Sequence, residues 1–497
     1  MTGTAIGHFV GGSVVAGTSS RTAPVYNPAT GEQTGSVALA SVAELDHAIE
    51  VASAAFEDWR FSSMAKRSKA MFAFRNLVET NADELAARIT AEHGKVHSDA
   101  LGEVARGLEN IEFACNVGEL LKGTHSAQVS TGVDVTSIRR PLGVVAGITP
   151  FNFPAMVPLW MIPNALACGN AFILKPSEKD PSAAMFIAEL IREAGFPDGL
   201  FNVVNGDKEA VDRLLNHPEI RAVSFVGSTP IAQYIHRTAS ENGKRVQALG
   251  GAKNHMLVLP DADLGLAADA AVSAGFGSAG ERCMAISVVV AVGDVADPLV
   301  EAIAERTRGL TIGNGMDPTS EMGPLVTAEH RDRVSGYVSA GIEAGATAVL
   351  DGRQQHFDGE GFFLGCSLLD HVTPDMTVYQ DEVFGPVLGV VRVATFDDAI
   401  RLLEANPYGN GTAIFTRDGG AAREFCDRAP VGMVGINVAI PVPVGYHSFG
   451  GWKSSLFGDT HMYGPEGVRF YTKAQAVTTR WPDPASSSVD LGFPQND

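Results

Sequence analysis

Apolar residues recur at helical spacing over 41–60, over 65–93 and from about 100 to 121, which predicts three amphipathic helices. Before them, 9–36 is rich in Gly, Ser and Thr and predicts short strands and turns. After them the pattern changes. Short apolar runs at 144–148, 171–174, 200–204 and 222–226 end in Thr149-Pro150, Lys175-Pro176-Ser177, Asn205-Gly206 and Gly227-Ser228. Helical stretches at 182–194 and 230–241 lie among them. This alternation predicts a parallel sheet with helices on both faces. Such sheets bind ligands at the carboxyl ends of their strands, where those polar residues stand.

A second alternating region begins near 255. Runs at 255–259 and 287–292 predict strands, with a helix over 264–279 between them; 387–393 and 412–416 predict later strands. Two further runs, 133–139 and 468–477, read as strands belonging to neither core, and 482–497 reads as a loose tail. No internal repeat is visible. A chain of 497 residues exceeds one compact core and predicts two or three domains of α/β class.

Composition narrows the function classes. Hydrophobic residues make up 45% and charged residues 19%, the balance of a folded chain rather than a disordered one. A net charge of −20 with no Lys/Arg-rich patch argues against nucleic-acid binding and for a role in solubility. The first twelve residues lack a basic segment followed by a long apolar stretch, so no signal peptide is expected. No apolar run reaches the length of a membrane span. Five cysteines without a CxxC pair predict free thiols in a reducing, cytoplasmic setting rather than disulfides or zinc. The histidines, His255, His447 and His461 among them, have no metal-ligand spacing, and no metal is expected.

Cys283 stands in Gly280-Glu281-Arg282-Cys283, after a predicted helix and before a predicted strand. A lone thiol is more often packing than chemistry. Here the Gly-rich stretch 275–280 admits close approach of other groups, and Arg282 would favour the thiolate. A thiolate adds to an aldehyde carbonyl, giving a hemithioacetal that can lose hydride. In Phe151-Asn152-Phe153-Pro154, the Asn152 amide either donates to a developing oxyanion or only satisfies its turn. Glu178 either accepts hydrogen bonds from an adenosine ribose, favouring NAD over NADP, or is an ordinary acid at a helix start. The neighbouring cations Lys175 and Lys179 blunt the first reading. Gly227-Ser228-Thr229 is either a pyrophosphate turn or a plain helix cap, with no GxGxxG beside it. Gln380-Asp381-Glu382-Val383-Phe384-Gly385-Pro386, taken alone, is a solvated acidic turn.

Together and in this order, these motifs resemble the aldehyde dehydrogenase superfamily over nearly the whole chain. The resemblance implies a Rossmann-type NAD domain (1–123 and 142–250), an α/β catalytic domain (251–440) and an oligomerising β-flap (124–141 and 460–481), in a homodimer or homotetramer. It implies Cys283 as nucleophile and Asn152 as oxyanion donor. Lys175, Glu178 and Ser228, with the adjacent Lys179, would hold the NAD adenosine and phosphates. Thr149 and Phe151 would line the cofactor cleft, Gly250 would lie near the nicotinamide, and Glu382 would bind its ribose with Phe384 alongside.

One departure carries information. Hydrolytic members have Glu-Leu-Gly-Gly, whose Glu activates water. Here the stretch is Gln247-Ala248-Leu249-Gly250-Gly251-Ala252-Lys253-Asn254, and Ala248 cannot move a proton. A thiol acceptor such as coenzyme A attacks as its own thiolate and has less need of that base. Gly251-Ala252-Lys253-Asn254-His255, Gly280-Glu281-Arg282-Cys283-Met284-Ala285, the 406–415 stretch from Asn406-Pro407-Tyr408 to Ile414-Phe415, and Gly435-Ile436-Asn437-Val438 resemble the CoA-acylating methylmalonate-semialdehyde dehydrogenases of valine catabolism. That resemblance implies Arg106 and Arg282 as the clamp for a substrate carboxylate, which guanidinium groups bind bidentately. For Arg106 the alternative is a solvated helix face; for Arg282 it is a structural or thiol-tuning role. The expected reaction is NAD-dependent oxidation of methylmalonate or malonate semialdehyde with decarboxylation, giving propionyl-CoA or acetyl-CoA. The rivals are a hydrolytic dehydrogenase with another base and an inactive NAD-binding protein.

Overall fold

The computed structural model describes residues 4–482, 484–486, 489 and 492. Most of the tail expected over 482–497 lies outside the described residues. Two largely parallel sheets, each on its own hydrophobic core, form the body of the molecule. In the first, five parallel strands run in the order Arg245–Leu249, Ile220–Val226, Val144–Ile148, Ala171–Lys175, Phe201–Val203. Chain order reverses between Val144–Ile148 and Ile220–Val226, and the crevice beyond their carboxyl ends is where open α/β sheets take ligands. The two inner strands Val144–Ile148 and Ala171–Lys175 are buried at every position, which is why both read as unbroken apolar runs.

The second sheet runs Thr347–Leu350, Ser367–Asp370, Val387–Val393, Ile286–Val292, Asn254–Val258, Gly411–Phe415, Met433–Ile436, with the first strand antiparallel to its neighbour. The two runs that fitted neither core are antiparallel to each other: Thr472–Arg480 pairs with Val133–Pro141, which pairs with Thr124–Ser130. This three-stranded flap is largely exposed on both faces. No described helix is long and apolar enough to cross a membrane.

Four expected boundaries are corrected. The stretch 65–93 is two helices, Met64–Thr80 and Ala82–His93, because Asn81 leaves helical geometry and its side-chain amide donates to the Leu77 carbonyl at 2.8 Å. The third helix runs His97–Cys115 and breaks at Asn116 before the short turn Val117–Leu120. Val468 and Phe470 belong to the helix Gly464–Phe470, opened by a Pro in its first turn, rather than to the flap strand. The helix expected over 264–279 ends at Phe276, and a tight turn with left-handed Ser278, Ala279 and Gly280 replaces its last residues.

Asn170 joins these parts. It is fully buried in the turn before Ala171–Lys175. Its Oδ1 accepts from Leu142 and Gly143 N–H at 2.7 and 3.2 Å, and its Nδ2 donates to Ala165 and Tyr471 carbonyls, both at 3.0 Å. One side chain thus ties the entry to the first inner strand, the preceding helix and the segment leading into the flap. Each buried group left unpaired costs about 1–3 kcal/mol. Asn170→Ala should therefore lower the unfolding free energy by about 3 kcal/mol or more in chemical denaturation. Asn170→Asp, which cannot donate, should be at least as damaging.

Candidate active site

The helix His97–Cys115 presents one polar stripe, Asp99, Glu103, Arg106 and Asn110, at spacings that share a face. Every member is engaged. Asp99 accepts from Arg282 at 2.6 Å. Glu103 and Lys95 form an ion pair at 2.7 Å with both side chains fully buried. Lys95 Nζ also donates to the Asn152 carbonyl at 2.7 Å and lies 4.2 Å over the Phe153 ring. The other oxygen of Glu103 accepts from Ala155 and Met156 N–H, at 2.9 and 3.0 Å, at the start of the helix Met156–Ala167. Arg106 binds both oxygens of Glu109 at 2.9 Å and donates to the Val442 carbonyl at 2.8 Å.

Asn152 is buried, and its amide donates to the Glu281 carbonyl at 3.0 Å, two residues before Cys283. One amide proton remains for another acceptor. The loop leading to Cys283 is bent hard: Ser278, Ala279 and Gly280 have φ of 54°, 52° and 74°. Gly280 is required here, since a Cβ would collide with the Gly385 carbonyl. The Cys283 carbonyl is held by Asn254 and Asn410 amides at 2.9 and 3.2 Å.

Cys283 shares a cavity with Arg282, Asn254, Ala252, Glu382 and Phe384. Burial pushes its thiol up to about 12, and Glu382 adds to the rise; its own N–H and that of Met284 oppose this, as does Arg282 to a lesser degree. Arg282 does favour the thiolate, but its guanidinium binds Asp99 at 2.6 Å and burial outweighs its charge. Glu382 is itself pushed up to about 7 by burial, although the Ala252 N–H, at 2.9 Å, and Lys253 favour its charged form. It is half-buried rather than a solvated turn acid.

Along the crevice of the first sheet, the Thr149 N–H donates to the Lys175 carbonyl at 3.1 Å, while its buried hydroxyl has no partner among the described residues. Lys175 Nζ donates to Glu178 at 3.2 Å. Burial would raise the Glu178 carboxyl, but Lys175 holds it below the usual range. Lys179 lies 4.7 Å over the Phe151 ring, which meets Phe384 edge-on at 5.9 Å. Ser228 is exposed at the start of the helix Thr229–Glu241 and makes no side-chain cap. Gly250 donates to the Ser455 carbonyl at 3.0 Å. An orphaned hydroxyl, an ionised carboxylate and an uncapped helix start along one crevice fit a dinucleotide. Among the described residues no cluster of three or more metal-ligating side chains occurs.

The structure brings Cys283, Asn152, Arg282, Glu382 and Phe384 to one place and lines Thr149, Phe151, Lys175, Glu178, Lys179 and Ser228 along the crevice leading there. Arg106 and Arg282 lie on or against the same helix but pair with different acids. Sequence reasoning missed Lys95, Glu103, Asp99 and Glu281. Asp99 and Glu103 carried one signal, the i, i+4, i+7 polar stripe they form with Arg106 in an otherwise amphipathic helix; Lys95 and Glu281 lie outside it.

Residues 14–477 match the aldehyde dehydrogenase family model. A malonate-semialdehyde dehydrogenase of Pseudomonas aeruginosa is 56% identical over 491 residues, covering 98% of this chain and 99% of that protein. A methylmalonate-semialdehyde dehydrogenase of Oceanimonas doudoroffii superposes with a TM-score of 0.96 at 56% identity, over 98% of this chain and 99% of its own. A structure from Sinorhizobium meliloti 1021, described as a methylmalonate-semialdehyde dehydrogenase and complexed with NAD, gives 0.96 at 51% identity, over 98% and 100%.

Removing one partner of a buried ion pair costs about 3–5 kcal/mol, because the other charge is left uncompensated. Lys95→Met should cost that much in denaturant unfolding. The double variant Lys95→Met/Glu103→Gln should recover most of it, since it buries no charge.

Proposed function

The chain belongs to the aldehyde dehydrogenase family, and from that premise we propose that it oxidises malonate or methylmalonate semialdehyde and passes the decarboxylated acyl group to coenzyme A. The observation that carries the choice of acceptor is Ala248. It is fully buried in the strand Arg245–Leu249, in register with Phe225 on one side and Phe457 on the other, and offers no base for water. A thiol acceptor ionises far more readily than water and needs less help.

In this reading the Cys283 thiol gives up its proton to solvent, and the thiolate adds to the aldehyde carbon. The free Asn152 amide proton stabilises the resulting oxyanion. Bound NAD supplies the hydride acceptor. Loss of hydride leaves the acyl group as a thioester on Cys283. The carboxylate β to the thioester carbonyl leaves as carbon dioxide, since that carbonyl accepts the carbanion charge, and the carbanion is then protonated. The coenzyme A thiolate attacks the thioester carbonyl, and Cys283 departs as thiolate. Arg106 and Arg282 orient the substrate carboxylate, exchanging part of their bonds to Glu109 and Asp99 for it. Lys175, Glu178, Lys179 and Ser228 hold the adenosine and phosphates. Thr149 and Phe151 line the cleft, while Gly250, Glu382 and Phe384 hold the nicotinamide ribose end. The charged Glu178 disfavours a 2′-phosphate, so NAD is preferred over NADP.

We assign 1–123 with 142–250 to the cofactor domain, 251–440 to the catalytic domain, and 124–141 with 460–481 to the flap. The flap, exposed on both faces, is offered as the dimer or tetramer contact. A cytoplasmic setting suits five cysteines of which none is disulfide-bonded.

The deciding measurement is NADH and acyl-CoA formation from malonate semialdehyde, with and without coenzyme A. Turnover that needs coenzyme A and gives acetyl-CoA is expected; free acid formed at full rate without it would make water the acceptor. Asn152→Ala should cost about a hundred- to a thousandfold in kcat. Arg106→Ala should cost about ten- to a hundredfold in kcat/KM for the carboxylated aldehyde and leave propanal unaffected. An unchanged preference between the two substrates would remove Arg106 from the carboxylate site.

A further inference from the structure

Behind the nucleophile loop lies a buried cluster that the reaction above does not use. Glu281 is fully buried two residues before Cys283. Its Oε1 accepts from the Val326 N–H at 3.3 Å and stands 3.4 Å from His330 Nε2. Its Oε2 stands 3.7 Å from His93 Nε2 and has no hydrogen-bond partner among the described residues. Both rings are held in one tautomer. His93 Nδ1 accepts the Lys95 N–H at 3.2 Å. His330 Nε2 donates to the Phe384 carbonyl at 2.7 Å, and its Nδ1 accepts from Arg333 at 2.8 Å. Each neutral ring therefore carries its proton on Nε2, the nitrogen facing Glu281. The main chain of the same Glu281 takes the Asn152 amide. Phe384, at φ 57°, ends the turn that begins at Glu382.

We propose that Glu281 is a positioning residue for the cofactor: neutral, it leaves the His330 N–H on the Phe384 carbonyl, and ionised, it draws that N–H away and loosens the 382–384 turn.

A carboxylate is a much stronger acceptor than a carbonyl or a neutral carboxyl, so the shared N–H moves when Glu281 ionises. Burial pushes the Glu281 carboxyl up to about 8, against the Val326 N–H and the charges of Lys179, Lys95 and Arg333, which pull it down. Burial keeps His330 near 4 and His93 well below the ordinary imidazole value, so neither ring titrates in that range. The groups facing Glu281 are His93 and Lys95 from the end of the helix Ala82–His93, Lys179 from the crevice, His330 and Arg333 from the helix Ala328–Glu343, and Arg282 from its own loop. A carboxyl raised to about 8 is neutral below that pH and charged above it, so cofactor binding weakens as pH rises through it.

The inference rests on assigning Glu382 to the cofactor. The test is fluorescence titration of NADH onto the intact protein from about pH 6.5 to 9.5, a range that brackets the transition. The wild-type Kd should rise several-fold as pH passes about 8, and Glu281→Gln should lose that rise, keeping only the step near 7 that Glu382 contributes. A flat wild-type profile overturns the proposal, as does a Gln variant that follows the wild-type curve. His330→Asn removes the shared N–H and should bind NADH weakly at every pH; wild-type pH dependence in that variant overturns the proposal independently. Glu382→Gln tests the underlying assignment on its own, because it should weaken NADH binding throughout, whatever Glu281 does.

Discussion

The site depends on one buried ion pair. Lys95 and Glu103 are withdrawn from water together, and that is tolerable because Lys95 also donates to the Asn152 carbonyl and faces the Phe153 ring, while the second oxygen of Glu103 accepts two main-chain N–H groups. Glu103 satisfies two otherwise unpaired N–H groups at the start of Met156–Ala167 and sits where the helix dipole favours a negative charge. Lys95 holds the main chain of Asn152. The pair therefore sets the loop after the first inner strand relative to the helix His97–Cys115, and Asn152 then grips the nucleophile loop through Glu281.

A second set of ties comes from three consecutive residues at the entry to the second sheet. The Ala252 N–H reaches Glu382. Lys253 Nζ donates to the Val378 and Asp381 carbonyls, both at 2.7 Å. Asn254 donates to the Cys283 and Ala285 carbonyls and accepts from the Gly411 N–H. Gly251 has no side chain because Glu382 occupies that space. The turn bearing Glu382 and the loop bearing Cys283 are thus both tied to residues 252–254. Burial beside the Glu382 carboxyl disfavours the charged form of the Cys283 thiol.

Ala248 fits this arrangement. In many enzymes a missing base would mean a dead site, but here Cys283, Asn152 and the groups that anchor them are all present. An acceptor that carries its own ionisable thiol removes the need for the group that is absent. Both guanidiniums are paired, Arg106 with Glu109 and Arg282 with Asp99, so neither is an unpaired charge in a half-buried place.

Much of this was legible along the chain. The inner strands, being buried on both faces, appear as unbroken apolar runs ended by the polar residues that form the crevice, and Val144–Ile148 and Val387–Val393 were placed to the residue. Cys283, Asn152 and Ala248 could be nominated from the sequence because they sit in short motifs whose chemistry is local. What tertiary structure alone decided were the contacts between groups far apart in sequence. Lys95 meets Asn152 across 57 residues, Asn152 meets Glu281 across 129, and Arg282 meets Asp99 across 183. Helix ends at Asn81 and Phe276 were likewise missed, because a side-chain bond and a left-handed turn override the apolar period there. Periodicity reports which face of an element is buried. Which charge lies opposite a buried charge, and hence whether Cys283 rests as thiol or thiolate, depends on how distant faces pack.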